Sequence, residues 1–152
     1  MKLKSAKTLL LLCLFPSMVI SAEFDRQAIE EEVFEVLDKF ILSFNAMDPV
    51  AQVATYHFPH FRLARGTMTI METVDTTIAG HESYFETLPD SGWHKSIWVH
   101  RKIISLSENK VHVDTKFKRI RKDGTEITTA SSLYVLIKKD GRWGIKLRSS
   151  FL

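Results

Sequence analysis

Residues 93–152 constrain this chain most. Apolar and polar residues alternate there, and two Asp-Gly pairs, Asp123-Gly124 and Asp140-Gly141, interrupt the alternation. Asp-Gly suits the positive φ of tight hairpin turns. The segment therefore reads as a meander of four long antiparallel strands. The first covers residues 93–106. The second carries Val111, Val113, Thr115 and Phe117 on one face. The third covers residues 127–137, and the last carries Trp143, Ile145 and Leu147 on one face. Such a sheet twists and curls, and it needs an apolar cover on its concave side.

The cover comes from upstream. Ile29, Val33, Val36, Leu37, Phe40, Phe44 and Met47 recur at spacings of three and four. That spacing predicts an amphipathic helix capped by Asp25 and running to about Met47. Asp48-Pro49 starts a second helix, over residues 50–56, which Phe58-Pro59 ends. Residues 61–65 and 67–72 read as short strands turning at Gly66. Residues 76–88 hold a third helix, with Ile78, Tyr84, Phe85 and Leu88 as its buried face. The class is α+β, with the helices segregated to one face of the sheet.

Ahead of this domain, Lys2, Lys4 and Lys7 precede a mostly apolar run over 8–20, and Ser21-Ala22 precede Glu23. This is the pattern of a secretory signal peptide over residues 1–22. It predicts export, to the periplasm or the medium. The competing reading is a retained anchor, but the run is shorter than the ~20 residues a spanning helix needs. Cys13 follows Leu12 rather than a small residue, which argues against lipid attachment there. Residues 23–152 then form one domain without cysteine, held by its core alone.

The chain has 21 basic and 18 acidic residues. Setting aside the three leader lysines leaves it formally neutral, so its basicity is no argument for nucleic acid. The charges are segregated: 4 basic and 13 acidic residues over 23–92, against 14 and 5 over 93–152. Lys116, Lys118, Arg119, Arg121 and Lys122 form the densest basic run. No stacking aromatics interleave with it. It reads as a solvated strand edge rather than as a phosphate or membrane contact.

The residues most able to carry chemistry are Tyr56, His57, His60 and Arg62. A histidine of near-neutral pKa accepts protons. A tyrosine donates to a developing oxyanion, and an arginine holds a carboxylate. His57 and His60 are thus the candidate catalytic residues, with Tyr56 and Arg62 as ligand contacts. The competing reading has both imidazoles bonding backbone around Pro59. No third ligand accompanies the two histidines, so no metal is expected. Trp98, His100 and Tyr134 are further candidate ligand contacts. Trp98 and His100 share a face unless a bulge intervenes. Asp114 points away from the Val111 face.

This order of elements resembles the NTF2-like superfamily, and more narrowly its SnoaL-like bacterial branch. The matching features are Phe44-Asn45-Ala46-Met47-Asp48, the segment Tyr56-His57-Phe58-Pro59-His60-Phe61-Arg62, and the closing Lys139-Asp140-Gly141-Arg142-Trp143-Gly144-Ile145. The resemblance covers residues 25–152. It implies a cone-shaped α+β barrel with the helices packed in the concave face of a curved, mostly antiparallel sheet. It also implies a homodimer through the outer face. Members include ketosteroid isomerase, scytalone dehydratase, polyketide cyclases and non-catalytic binding domains, so the fold alone does not decide chemistry. The isomerase pattern wants a carboxylate base on the first short strand and a tyrosine on the first helix. Residues 56–66 contain no Asp or Glu, and the first helix has no tyrosine.

The resulting expectation is an exported domain that binds a small, partly apolar molecule in a conical pocket. It needs no cofactor, contacts no nucleic acid, and touches no membrane once the leader is cleaved. The alternatives are a lyase or isomerase using His57 or His60 as general base on a carbonyl-containing substrate, and a dimeric assembly module.

Overall fold

The Asp25 carboxylate accepts a hydrogen bond from the Ala28 amide at 3.0 Å and starts the first helix, α1, Arg26–Asn45. The computed structural model describes residues 25–152, so the leader read over 1–22, with Cys13, lies outside the described residues. Ile29, Val33, Leu37, Phe40 and Phe44 are buried along one stripe of α1. The helix stops two residues earlier than the periodicity suggests because Met47 takes φ of 52°. Asn45 instead clamps a distant strand: its side-chain amide donates to the Ser96 carbonyl at 2.9 Å and accepts from the Ser96 amide at 2.8 Å. Asp48 then caps α2, Pro49–Val53, through the Ala51 amide at 2.9 Å.

The next segment departs from the sequence reading. The second helix does not reach Tyr56. It ends at Val53, and β1 spans Tyr56–Ala64. Pro59 marks an irregularity inside the strand rather than a helix end. The ladder between β1 and the last strand shifts register between Tyr56 and Phe61. A residue without an N–H is tolerated at such a shift. The strand β2, Thr67–Met71, folds back on β1. Thr73 caps α3, Val74–Thr87, which a 3₁₀ turn over Leu88–Ser91 extends. On its inner face Phe85 and Leu88 are buried, whereas Tyr84 is exposed.

The meander follows: β3, Lys95–Leu106; β4, Lys110–Ile120; β5, Glu126–Lys139; and β6, Arg142–Ser150. The sheet order is β2-β1-β6-β5-β4-β3, with β1 and β6 parallel and every other pair antiparallel. The sheet keeps two free edges, so the cone is half-open rather than a closed barrel. Register shifts in β3 near Val99 and Ile104, and between Val135 and Leu136, sharpen its curl.

The apolar interior has two parts. The larger joins Val33, Leu37 and Phe40 of α1 to Tyr56, Val111, Val113, Tyr134, Leu136 and Ile145. Each fully buried aliphatic side chain there contributes about 2 kcal/mol. The smaller gathers Phe44, Phe85, Leu88 and Trp93. Phe40 and Phe44, one turn apart on α1, stand on either side of the boundary. The acid-rich and base-rich halves meet in two ion pairs, Arg101–Asp38 at 2.6 Å and Lys138–Glu32 at 2.9 Å.

Candidate functional site

Strand alternation sorts the candidate residues. Tyr56 and His60 point into the cone and stack, with ring centroids 4.1 Å apart and planes 9° from parallel. His57 points the other way. Its Nε2–H donates to the Arg142 carbonyl at 3.0 Å, and its Nδ1 accepts from the Arg142 guanidinium at 3.2 Å. Both ring nitrogens are thus engaged by the β5–β6 turn. Burial, and then the adjacent Arg142 cation, hold the His57 imidazole below its ordinary pKa.

His60 Nδ1–H donates to the Ile145 carbonyl at 3.0 Å, which leaves Nε2 as a bare, buried acceptor with no partner among the described residues. Burial pushes its pKa down to about 4. Trp98 and His100 part company at the bulge near Val99. Trp98 turns inward, edge-on to Tyr134 at 5.9 Å. His100 turns outward, and its ring meets Asp114 at 2.9 Å with both side chains about half exposed. The structure therefore brings Tyr56, His60, Arg62, Trp98 and Tyr134 to the inner face, and leaves His57 and His100 outside it.

Three arginines dominate that inner face. Arg62 and Arg148 are direct partners across the parallel β1–β6 ladder. Arg119 approaches from β4. The Nε atoms of all three are buried and unpartnered among the described residues. None of the three takes part in an ion pair there; the acids that do form pairs bond Arg26, Lys39, His100, Arg101 and Lys138. Arg148 lies over the Phe40 ring at 5.3 Å, and Arg119 over the Phe44 ring at 5.4 Å. All three keep some accessible surface although they sit inside the cone. Arg148 and Arg119 bridge the two apolar clusters, since Phe40 belongs to the larger and Phe44 to the smaller. Burial opposes the charge on Arg148, but the Tyr134 and Tyr56 phenols outweigh it and raise its pKa. Burial pushes Tyr56 up to about 12 and also raises Tyr134, so both phenols are neutral near pH 7.

The inner face continues as a buried polar seam. Thr115 Oγ1 donates to the Ser132 carbonyl at 2.9 Å, and the Ser132 and Ser150 hydroxyls bond at 2.8 Å. On the helix side, His81 Nδ1–H donates to the Thr77 carbonyl at 2.9 Å. That fixes Nε2 as an acceptor, which receives the Tyr56 hydroxyl at 3.2 Å. Burial, then the charges of Arg148 and Arg62, lower the His81 pKa. The arrangement is a neutral acid–base pair beside three cations, with no anion paired to them among the described residues. Chemically it is suited to hold a carboxylate. A separate cleft of about 740 Å³ lies outside the cone, between α1, α2 and the β5–β6 turn, and includes Leu42, Ala51, Arg142 and Trp143. None of the three arginines lines it. Among the described residues no three His, Cys, Asp or Glu side chains gather to hold an ion, and no helix is long and apolar enough to cross a membrane.

Arg119, Arg148 and His81 are the residues that sequence reasoning passes over. Arg119 carried a signal: it keeps the parity of Val111, Val113, Thr115 and Phe117, which puts it indoors while Lys116 and Lys118 stay out. Arg148 is disguised by the register shift in the β5–β6 ladder, which places Leu147 and Arg148 on faces opposite to those that parity with Ile145 predicts. His81 sits on a helix whose inner face is only weakly apolar.

No curated protein matches the chain. Among solved structures, an NTF-2 like protein of unknown function from Shewanella oneidensis is 20% identical, with 82% of this chain and 99% of that one covered and a TM-score of 0.65. An NTF2-like protein with a cystatin-like fold from Novosphingobium aromaticivorans gives 12% identity, 83% and 84% coverage, and a TM-score of 0.68. A protein of unknown function with a cystatin-like fold from Nostoc punctiforme gives 14%, 80% and 89%, and 0.65. At these identities the likeness speaks for the fold. A family model described as NTF2-like protein (DUF6841) matches residues 30–147. With helices, sheet order and inward-facing site in place, the chain belongs to that NTF2-like family.

Proposed function

We propose that this domain binds a small, partly apolar carboxylate within the half-open cone, with Arg62 and Arg148 as its anchor. One observation carries the reading: two arginines placed opposite each other on neighbouring strands, both inward, with no acid paired to them among the described residues. Like charges directly opposed in a sheet are destabilising. A bound carboxylate turns that repulsion into two charge-assisted contacts, for which the planar guanidinium is well shaped. Tyr134, Trp98 and Phe40 supply apolar walls, and the bare Nε2 of buried His60 supplies an acceptor for a ligand hydroxyl or N–H. Benzoate is a suitable probe. At about 100 times its dissociation constant it should stabilise the fold by about 2.7 kcal/mol. Arg148→Gln should abolish that gain. A melting temperature unmoved across a panel of aromatic and aliphatic carboxylates sinks the proposal.

The homodimer belongs to the same proposal. The outer face of the sheet presents Phe61, Leu133, Val135 and Leu147 only partly covered, beside exposed Leu63. A self-associating sheet face would bury them. Sedimentation equilibrium that returns only monomer at tens of micromolar contradicts it. Export, and membership of the SnoaL-like branch, are supported by the leader pattern over residues 1–22 and by the quoted motifs respectively.

A further inference from the structure

We infer that the preferred ligand carries two negative groups, the second received by Arg119, which makes it a small dicarboxylate with a flat apolar spacer. The inference rests on the reading that Arg62 and Arg148 hold a carboxylate. Arg119 repeats the features of that anchor from another strand. Its Nε is buried without a partner, and its guanidinium lies 5.4 Å over the Phe44 ring as Arg148 lies 5.3 Å over Phe40. Phe40 and Phe44 occupy successive turns of α1. The two cations are therefore supported by rings about 6 Å apart along the helix axis, the rise of four residues. Arg119 is near enough for its charge to act on both Arg62 and Tyr134, so the three arginines share one field. A single carboxylate at Arg62 and Arg148 leaves Arg119 desolvated and uncompensated. A second carboxylate one turn away meets it. The surfaces between are flat and apolar: Phe40, Phe44, and the Trp98–Tyr134 pair.

Benzene-1,4-dicarboxylate, whose carboxylates stand about one helical turn apart, is the probe, with benzoate as its one-armed counterpart. Calorimetric titration of the full domain at fixed ionic strength gives the ratio of their affinities. The expected ratio is at least tenfold in favour of the dicarboxylate. Arg119→Gln should bring it to near one, Arg119→Lys should retain part of it, and Lys118→Gln, on the outer face, should keep it. Binding of benzoate by Arg119→Gln also reports that the variant folds. Three results overturn the inference: a ratio near one in the unmodified protein, a ratio untouched by Arg119→Gln, or phenylphosphate, with both charges in one head, binding better than the dicarboxylate. Benzoate binding with a ratio near one leaves the carboxylate anchor standing, whereas failure of both ligands removes the anchor itself.

Discussion

Lowering the pH should destabilise this domain through His60 in a way that can be isolated. The ring is 1% exposed, its Nδ1–H is committed to the Ile145 carbonyl, and Tyr56 covers one face. Protonating Nε2 there places a charge in the core with no partner, beside Arg148 and His81. Burial therefore holds the pKa at about 4, against 6.5 for a free imidazole. The unfolded chain binds the proton first. Between roughly pH 6.5 and 4 stability must fall as pH falls, and above that window it is full. With these two values, the loss is about 2 kcal/mol at pH 5 and saturates near 3 kcal/mol. Urea unfolding at pH 7.5 and pH 5 measures it. Carboxylates and the other histidines titrate in the same range, so the reading is the difference between the unmodified protein and His60→Gln. The variant starts less stable but should lose about 2 kcal/mol less on acidification. Equal pH slopes in both proteins refute the reasoning, because they mean that His60 is protonated as easily folded as unfolded.

Two further outcomes follow from contacts on the same strands. Gly144→Ala should destabilise by about 2 kcal/mol. Its new Cβ would stand 2.6 Å from His57 Cδ2 and 3.1 Å from the Arg142 guanidinium, where both side chains are already pinned by hydrogen bonds; a chemical-denaturation midpoint equal to that of the parent contradicts this. Arg62→Met, in buffer free of carboxylates, should raise stability by about 1 kcal/mol, since burial and the facing Arg148 both disfavour the Arg62 charge; a lowered midpoint shows that the arginine is compensated by some group within the domain.

The fold was legible because its main signals are periodic. A four-strand meander punctuated by Asp-Gly turns, with an amphipathic helix ahead of it, leaves little freedom in how the pieces pack. The start of β1 was less legible. Proline in Phe58-Pro59 reads as a helix breaker, and only the ladder with β6 shows that the chain is already extended at Tyr56. The site was legible in part. Tyr56, His60, Arg62, Trp98 and Tyr134 do reach the inner face. His57 and His100 do not, and for different reasons: alternation within β1 turns His57 toward Arg142, and a bulge reverses the parity between Trp98 and His100. Bulges depend on how two strands curl together, which neither strand records alone.

The charges show the same division between local pattern and tertiary placement. In the sequence, Arg119 belongs to a basic run that reads as solvent-facing. In the fold, one position of alternation separates it from Lys118 and puts it over the Phe44 ring. A folded chain has no stabilising reason to gather three arginines in its interior without an acid, because desolvation and mutual repulsion both oppose it. The acids are not scarce: residues 23–92 hold 13 of them, and two of these, Glu32 and Asp38, already cross to pair with Lys138 and Arg101. Pairing within the chain was thus available and is used elsewhere. Among the described residues no such pair forms at Arg62, Arg119 or Arg148, and this is the feature of the interior on which the proposal of an anion supplied from outside stands or falls.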